Sequence, residues 1–338
     1  MNILIIGLGS MGKRRIRCLQ TLAYTSLAGV DARADRRTEA AEKYAVPVFA
    51  TYDEAVTVMR PDALIISVPP DVHHLFMSQA VTDKLPFFVE ASVVDQGLRE
   101  TDEACRRLGL LAAPSTTMLF HPGIQLVAQL VRTGALGTIS NVVHHSGQYL
   151  PDWHTYEAVQ DYYVSNPATG GAREIVPFEL SWLTAVFGFP RRVTGTCRKT
   201  IVIAGAEKID DTYNCVFDYG RHLMVLVVDV VSRCAVRRLI INGDRRQLVW
   251  DWDEKVVRVY DPATSAWEQH RYDQGHAADG YNANIGETMY IEEMRSFLEA
   301  AQGRGTFPNT LANDHANLRL LYAVEESDRS GRFVDFAP

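Results

Sequence analysis

The chain opens on an apolar run that breaks on glycines, Ile3-Leu4-Ile5-Ile6-Gly7-Leu8-Gly9-Ser10-Met11-Gly12. The spacing is G-x-G-x-x-G, and the stretch from Lys13 to Ala23 behind it reads as a helix. A strand, a glycine turn and a helix in that order constrain the fold more than any other feature. Gly7 permits the tight turn out of the strand, Gly9 lets a pyrophosphate approach the backbone, and Gly12 lets the helix pack closely on the strand. The N–H groups around Ser10 and Met11, at the positive end of the helix, then face the phosphates. A second apolar stretch, Leu27-Ala28-Gly29-Val30, ends on Asp31, about 20 residues beyond the turn, where such sites carry the acid that accepts the ribose hydroxyls. Asp31 favours NAD; Arg33, Arg36 and Arg37 lie close enough to neutralise a 2′-phosphate and leave NADP open.

Strands alternating with helices continue to about residue 115. Helices are expected at Arg36 to Tyr44, from Asp53 through Val58, from Asp71 through Ala80, and at Gly97 to Leu108. Strands are expected at Pro47 to Phe49, Ala63 to Val68, Phe87 to Glu90 and Leu110 to Ala113. This pattern implies an α/β fold with a doubly wound parallel sheet, the Rossmann arrangement. Ligands bind beyond the carboxyl ends of such strands, and Gly7, Asp31, Ser67-Val68-Pro69 and Glu90 all fall there. After Pro114 the pattern changes. A helix from His121-Pro122 to Arg132, a strand at Ile139 to His145, an irregular aromatic stretch from Gly147 to Gly171 and a helix at Ala172 to Phe187 precede a succession of β runs between Arg192 and Tyr272. Helices at Glu287 to Ala301 and Leu311 to Ser327 close the chain. The expected organisation is a dinucleotide-binding domain over 1–116 and an α+β domain over 117–338, built on a large, mostly antiparallel open sheet. An open sheet face must be covered, and a second copy would cover it as a homodimer or homotetramer.

The length of 338 residues exceeds one core of about 250–300 residues and supports two domains. A net charge of -7 without a long basic run excludes a nucleic-acid surface. The short cluster Lys13-Arg14-Arg15-Arg17 reads either as a solvated face or as a field that helps hold phosphates. The five cysteines are scattered without a C-x-x-C pair, so neither a metal site nor a disulfide framework is expected. No apolar run reaches the ~20 residues of a membrane span, and Met1 leads straight into the first strand, so a cytoplasmic protein without a signal peptide is expected.

The order of motifs resembles the Gfo/Idh/MocA oxidoreductase family. Ile6 to Gly12 resembles its glycine loop, Pro69-Pro70-Asp71-Val72-His73 its P-x-x-x-H turn, and Phe87-Phe88-Val89-Glu90 the strand before its E-K-P motif. Phe120-His121-Pro122 and Gly134-Ala135-Leu136-Gly137 resemble its R-x-x-P and G-x-L-G segments, and Glu326-Ser327-Asp328-Arg329-Ser330-Gly331 its closing E-S-x-x-x-G. The resemblance implies NAD(P)-dependent hydride transfer on a sugar, sugar nucleotide or cyclitol. It also implies that His73 supports the cofactor loop and that Glu90 and Ala91 border the nicotinamide end.

Two departures stand out. Where the family has E-K-P the chain reads Glu90-Ala91-Ser92, and its D-x-x-x-H helix falls on Glu174 and Phe178, or one residue on, on Ile175 and Glu179. A lysine and a histidine that handle protons are thereby replaced. Candidate substitutes are Glu174, Glu179 and His154, with Tyr163, Arg173, His121 and Trp153 as candidate substrate contacts. Arg173 with Glu174 or Glu179 reads equally well as a structural ion pair. The missing apparatus also admits a nucleotide-retaining enzyme without net redox change (an epimerase, lyase or hydrolase) or a non-catalytic binding protein. A weak base handicaps alcohol oxidation more than ketone reduction, so reduction is the favoured direction.

Overall fold

The structure is a computed structural model of the chain, and residues 1–153, 157–277 and 285–338 are described. In chain order the first elements are β1 (Ile3–Ile6), α1 (Ser10–Thr21), β2 (Leu27–Val30), α2 (Ala34–Tyr44), β3 (Val48–Phe49), α3 (Tyr52–Met59), β4 (Ala63–Ile66), α4 (His73–Asp83), β5 (Phe87–Val89), α5 (Leu98–Leu108) and β6 (Ala112–Pro114). There follow α6 (Pro122–Arg132), β7 (Ile139–Gly147), α7 (Ala172–Phe187), β8 (Arg192–Arg198), β9 (Thr212–Asp218), β10 (Leu223–Asp229), β11 (Val236–Gly243), β12 (Gln247–Asp251), β13 (Val256–Asp261) and β14 (Ala266–Arg271). The chain ends with α8 (Thr288–Ala301), α9 (Leu311–Ser330) and β15 (Val334–Asp335). It divides into two compact units, Met1–Thr117 with Glu287–His315, and Met118–Gly286 with Ala316–Pro338. A single cut after residue 116 therefore omits the return of Glu287–His315 to the amino-terminal unit.

The first unit holds a six-stranded sheet in the order β3-β2-β1-β4-β5-β6, parallel throughout. Its central strands, Ile3–Ile6 and Ala63–Ile66, are buried along their whole length, as continuous apolar runs must be when helices cover both faces. The strand order reverses between β1 and β4, and their ends meet, with Ser67 N donating to Ile6 O at 2.7 Å. That is the switch point at which open parallel sheets bind ligands. Helix starts differ in detail from expectation. Thr51, not Asp53, caps α3 by accepting from Glu54 N. A single 3-10 turn at Pro70–Val72 precedes α4, which has no side-chain cap.

The second unit holds a nine-stranded sheet, β14-β13-β12-β11-β7-β10-β9-β8-β15. Only β7 and β10 pair in parallel. Side chains alternate. Val142, Met224, Leu226, Leu239 and Ile241 are buried on the face that carries α6, α7 and α9. The opposite face carries a row in register, Val216, Val225, Val143, Ile240 and Val249. The stretch 147–171 contains short 3-10 turns at Leu150–Asp152, Val159–Asp161 and Tyr163–Ser165; His154 lies outside the described residues. No described helix is long and apolar enough to cross a membrane.

Candidate active site

In the first unit the glycine turn has the geometry its spacing requires. Gly7 adopts φ +91°, and a Cβ there would lie 2.4 Å from Ser67 O. A Cβ on Gly12 would fall 1.8 Å from Gly7 O, so only glycine lets α1 start this close to β1. Gly9 differs: a Cβ would meet nothing nearer than Arg36 Nη1, at 3.5 Å. The space over Gly9 is the cradle a pyrophosphate needs at a helix N-terminus, where Ser10, Met11 and Gly12 form the first turn. Asp31 accepts from Leu8 N and Arg33 N, both at 2.8 Å, and Arg36 Nη1 stands 4.0 Å from its Oδ2. Each carboxylate oxygen keeps a further lone pair for a ribose hydroxyl.

The far edge of this site is built on an ionic clamp. Arg15 is fully buried in α1 and grips Glu90 at 2.7 and 2.8 Å through Nε and Nη2, while its Nη1 donates to Glu293 of α8 at 2.8 Å. Glu293 also accepts from Ser115 Oγ, Thr116 N and Thr117 Oγ1. Ser67 Oγ donates to Glu90 Oε1 at 3.1 Å. Glu90 thus stands at the carboxyl end of β5, beside Ser67, with its carboxylate oriented by Arg15, and Ala91 follows it. His73 is buried and donates from Nε2 to Val68 O at 2.9 Å, which fixes the Val68-Pro69 turn. Burial pushes its pKa down to about 4, so it is neutral. The basic cluster of α1 is therefore not one solvated face. Arg14 and Arg17 pair with Glu287, and Lys13 with Glu39.

In the second unit a pocket is lined by Gln148, Trp153, Ile175, Asp229, Arg237, Trp252, Asp253 and neighbours. Ile175 comes from α7 and Arg237 from β11. Glu179, one turn further along α7, is fully buried. It accepts from His144 Nε2 at 2.9 Å, Trp182 Nε1 at 2.7 Å and Arg237 Nε at 2.9 Å. Burial alone would raise its pKa, but Arg237 and His144 outweigh it and hold the carboxyl well below the ordinary range. A carboxylate so firmly ionised is an anchor rather than a proton acceptor.

Glu174 is the opposite case. Its Oε1 accepts from Tyr163 Oη at 2.5 Å, and its buried Oε2 has no hydrogen-bond partner among the described residues. Burial pushes its pKa up to about 7, against the opposing pull of Tyr163. Arg173 turns away from both acids and pairs with Glu325 at 2.7 Å, so the ion pair expected between neighbours on α7 is made elsewhere. His121 is 1 % exposed and belongs to an aromatic cluster, stacked on Trp252 at 4.4 Å and edge-on to Tyr272. Gly123 N donates to its Nδ1, so Nε2 carries the proton and donates to Gln274 Oε1 at 3.1 Å. Burial, with Arg237 adding to it, lowers its pKa to about 4.

The chain as a whole matches known proteins. The family model described as an oxidoreductase family with an NAD-binding Rossmann fold matches residues 1–113, and the C-terminal domain model of the same family matches residues 124–249. The chain belongs to the Gfo/Idh/MocA oxidoreductase family. Its amino-terminal unit is accordingly an NAD-binding Rossmann fold. No curated protein sequence matches. Solved structures do. An oxidoreductase from Agrobacterium radiobacter, in complex with NAD+, L-tartaric acid and magnesium, is 13% identical with TM-score 0.86, over 99% of this chain and 98% of that one. GenD2 from gentamicin A biosynthesis, in complex with NAD, is 17% identical with TM-score 0.81, over 100% and 97%. A protein described as a myo-inositol dehydrogenase from Sinorhizobium meliloti is 16% identical with TM-score 0.79, over 100% of each chain. At such identities the likeness establishes the fold.

Sequence reasoning missed Arg237, Trp252, Asp253 and Gln148 as pocket residues. One signal was present. In β11 the core-facing positions are Leu239 and Ile241, and Arg237 occupies the same face, where alternation calls for an apolar side chain.

Proposed function

We propose that the protein is an NAD-dependent oxidoreductase that transfers a hydride between nicotinamide and a carbon of a sugar, sugar nucleotide or cyclitol, favouring ketone reduction. In this reading Glu174 manages the proton in place of the family's lysine and histidine. The observation that carries it is the Glu174 carboxyl, with one oxygen on Tyr163 and the other buried without a partner among the described residues. A group poised near 7 can both hold and release a proton at working pH. It precedes Ile175 on α7, and Ile175, not Glu174 itself, lines the pocket.

The glycine turn, Asp31 and the oriented Glu90 fit the cofactor, which when bound supplies or accepts the hydride. The chain's own residues do the rest. Gly9 leaves room for the pyrophosphate, and Asp31 accepts the ribose hydroxyls. On hydride arrival at a carbonyl carbon the oxygen becomes an alkoxide, and protonated Glu174 donates its proton to that oxygen and is left ionised. Tyr163 Oη, already hydrogen-bonded to Oε1, stabilises the resulting carboxylate. Tyr163 and Trp153 contact the substrate, whereas Arg173, Glu179 and His121 hold the scaffold. The apolar row on the open sheet face supports association of copies of this chain through that face.

The test is consumption of reduced nicotinamide with a panel of keto-sugars. Glu174→Gln should lower kcat by about 10²–10⁴-fold while leaving cofactor affinity unchanged. Unchanged turnover in that variant would remove Glu174 from the reaction. Because reduction needs the protonated acid, activity should decline as pH rises through about 7.

A further inference from the structure

The pocket's most unusual lining residue is Arg237, a cation on the core-facing side of β11. It is held rigid. Nε donates to Glu179 Oε1 at 2.9 Å, and the guanidinium lies 4.8 Å from the Trp252 ring centre and 5.8 Å from that of Phe178. Glu179 is itself fixed by His144 and Trp182. This anchoring uses one of Arg237's nitrogens. Nη1 and Nη2 make no hydrogen bond among the described residues. A pinned, planar fork whose Nη1/Nη2 edge is free matches a carboxylate bidentately.

A second lining residue points the same way. Trp153 Nε1–H is buried and has no acceptor among the described residues. A buried donor without an acceptor is costly, and a ligand oxygen would relieve that cost. Neither acid of the pocket is bonded to Arg237 among the described residues. Asp229 accepts from His145 Nε2, Ser232 Oγ, Ser232 N and Val231 N, and Asp253 is exposed. We propose that the substrate carries a carboxylate, as in a sugar acid or polyhydroxy keto acid, and that Arg237 seats it with Trp153 as a further donor. This rests on the proposed oxidoreductase reading, with this pocket as its substrate site.

The test uses the full chain with NAD+ present, at constant ionic strength. Binding of gluconate and glucuronate is compared with that of their uncharged counterparts glucitol and glucose by calorimetric titration. Each acid should bind at least about tenfold more tightly than its uncharged counterpart. Arg237→Lys keeps a cation beside Glu179 but loses the fork, and should remove that preference. Trp153→Phe leaves the Glu179 pair intact and should weaken the acids several-fold, which keeps the idea testable if the first variant does not fold. NAD+ affinity should be unchanged in both. Equal binding of acids and neutral compounds, or acid affinity unchanged in the variants, would overturn it. Acid binding with no turnover of nicotinamide by any compound would contradict the oxidoreductase proposal and support this one. Turnover of neutral ketoses with no preference for acids would overturn this one alone.

Discussion

Gly9 and Gly12 share a turn but should respond differently to the same methyl group. Gly12→Ala drives a Cβ into Gly7 O and should cost about 1–3 kcal/mol of stability or more, read by denaturant unfolding. Gly9→Ala meets only Arg36 at 3.5 Å and should fold normally yet bind NAD+ at least about tenfold more weakly by calorimetry. His121 gives a pH prediction. Its folded pKa of about 4 lies below its unfolded value near 6.5, so the unfolded chain takes up a proton first as pH falls. Its contribution is fully present above 6.5 and is lost toward 4, on the order of 3 kcal/mol. His121→Gln should flatten that part of the stability-versus-pH curve, and an unchanged slope would refute the assignment. Features set by the local chain were legible in the sequence. The glycines and Asp31 announce themselves by spacing. Glu174 could be named from its place on α7, but neither its Tyr163 partner nor its burial could. Arg237 was hidden because its reason for being in the core is Glu179, far away in sequence.

Arg15 ties together three parts of the first unit, α1, the turn after β5 through Glu90, and α8 through Glu293. Arg15→Met would leave two carboxylates without their shared cation and should cost about 3–5 kcal/mol in thermal or denaturant unfolding. A small change would mean that Glu293 simply takes up a proton, which its raised pKa, caused mainly by burial, partly favours. Most element positions were readable from periodicity, and α7 was found at both ends. The membership of α8 in the first unit was not, because its partner Arg15 lies at the other end of the chain. Nor was β14, whose Ala266–Arg271 sequence is almost wholly exposed and lacks the alternation that reveals a half-buried strand.

For the whole molecule, the proposed association of copies rests on the open face of the nine-stranded sheet. The row Val216, Val225, Val143, Ile240 and Val249 presents apolar, β-branched side chains opposite the helical face. Ile240→Asp should yield a monomer in sedimentation velocity with folding intact; a wild-type monomer would refute association through this face. The parallel pairing of β7 with β10, which centres the sheet, was not legible, since nothing local in either strand names a partner so distant. The passage from strands alternating with helices to strands in succession was legible because the hydrophobic period changes after Pro114. The claim on which the function depends is hydride transfer from bound nicotinamide to a polyhydroxy carbonyl compound. The most direct measurement supplies cofactor reduced with deuterium at the nicotinamide C4 and follows the product by mass spectrometry. Label carried into the product carbon, and lost in Glu174→Gln together with turnover, is the predicted result. Product formed without that label, or cofactor that binds and never exchanges its deuterium, would contradict it.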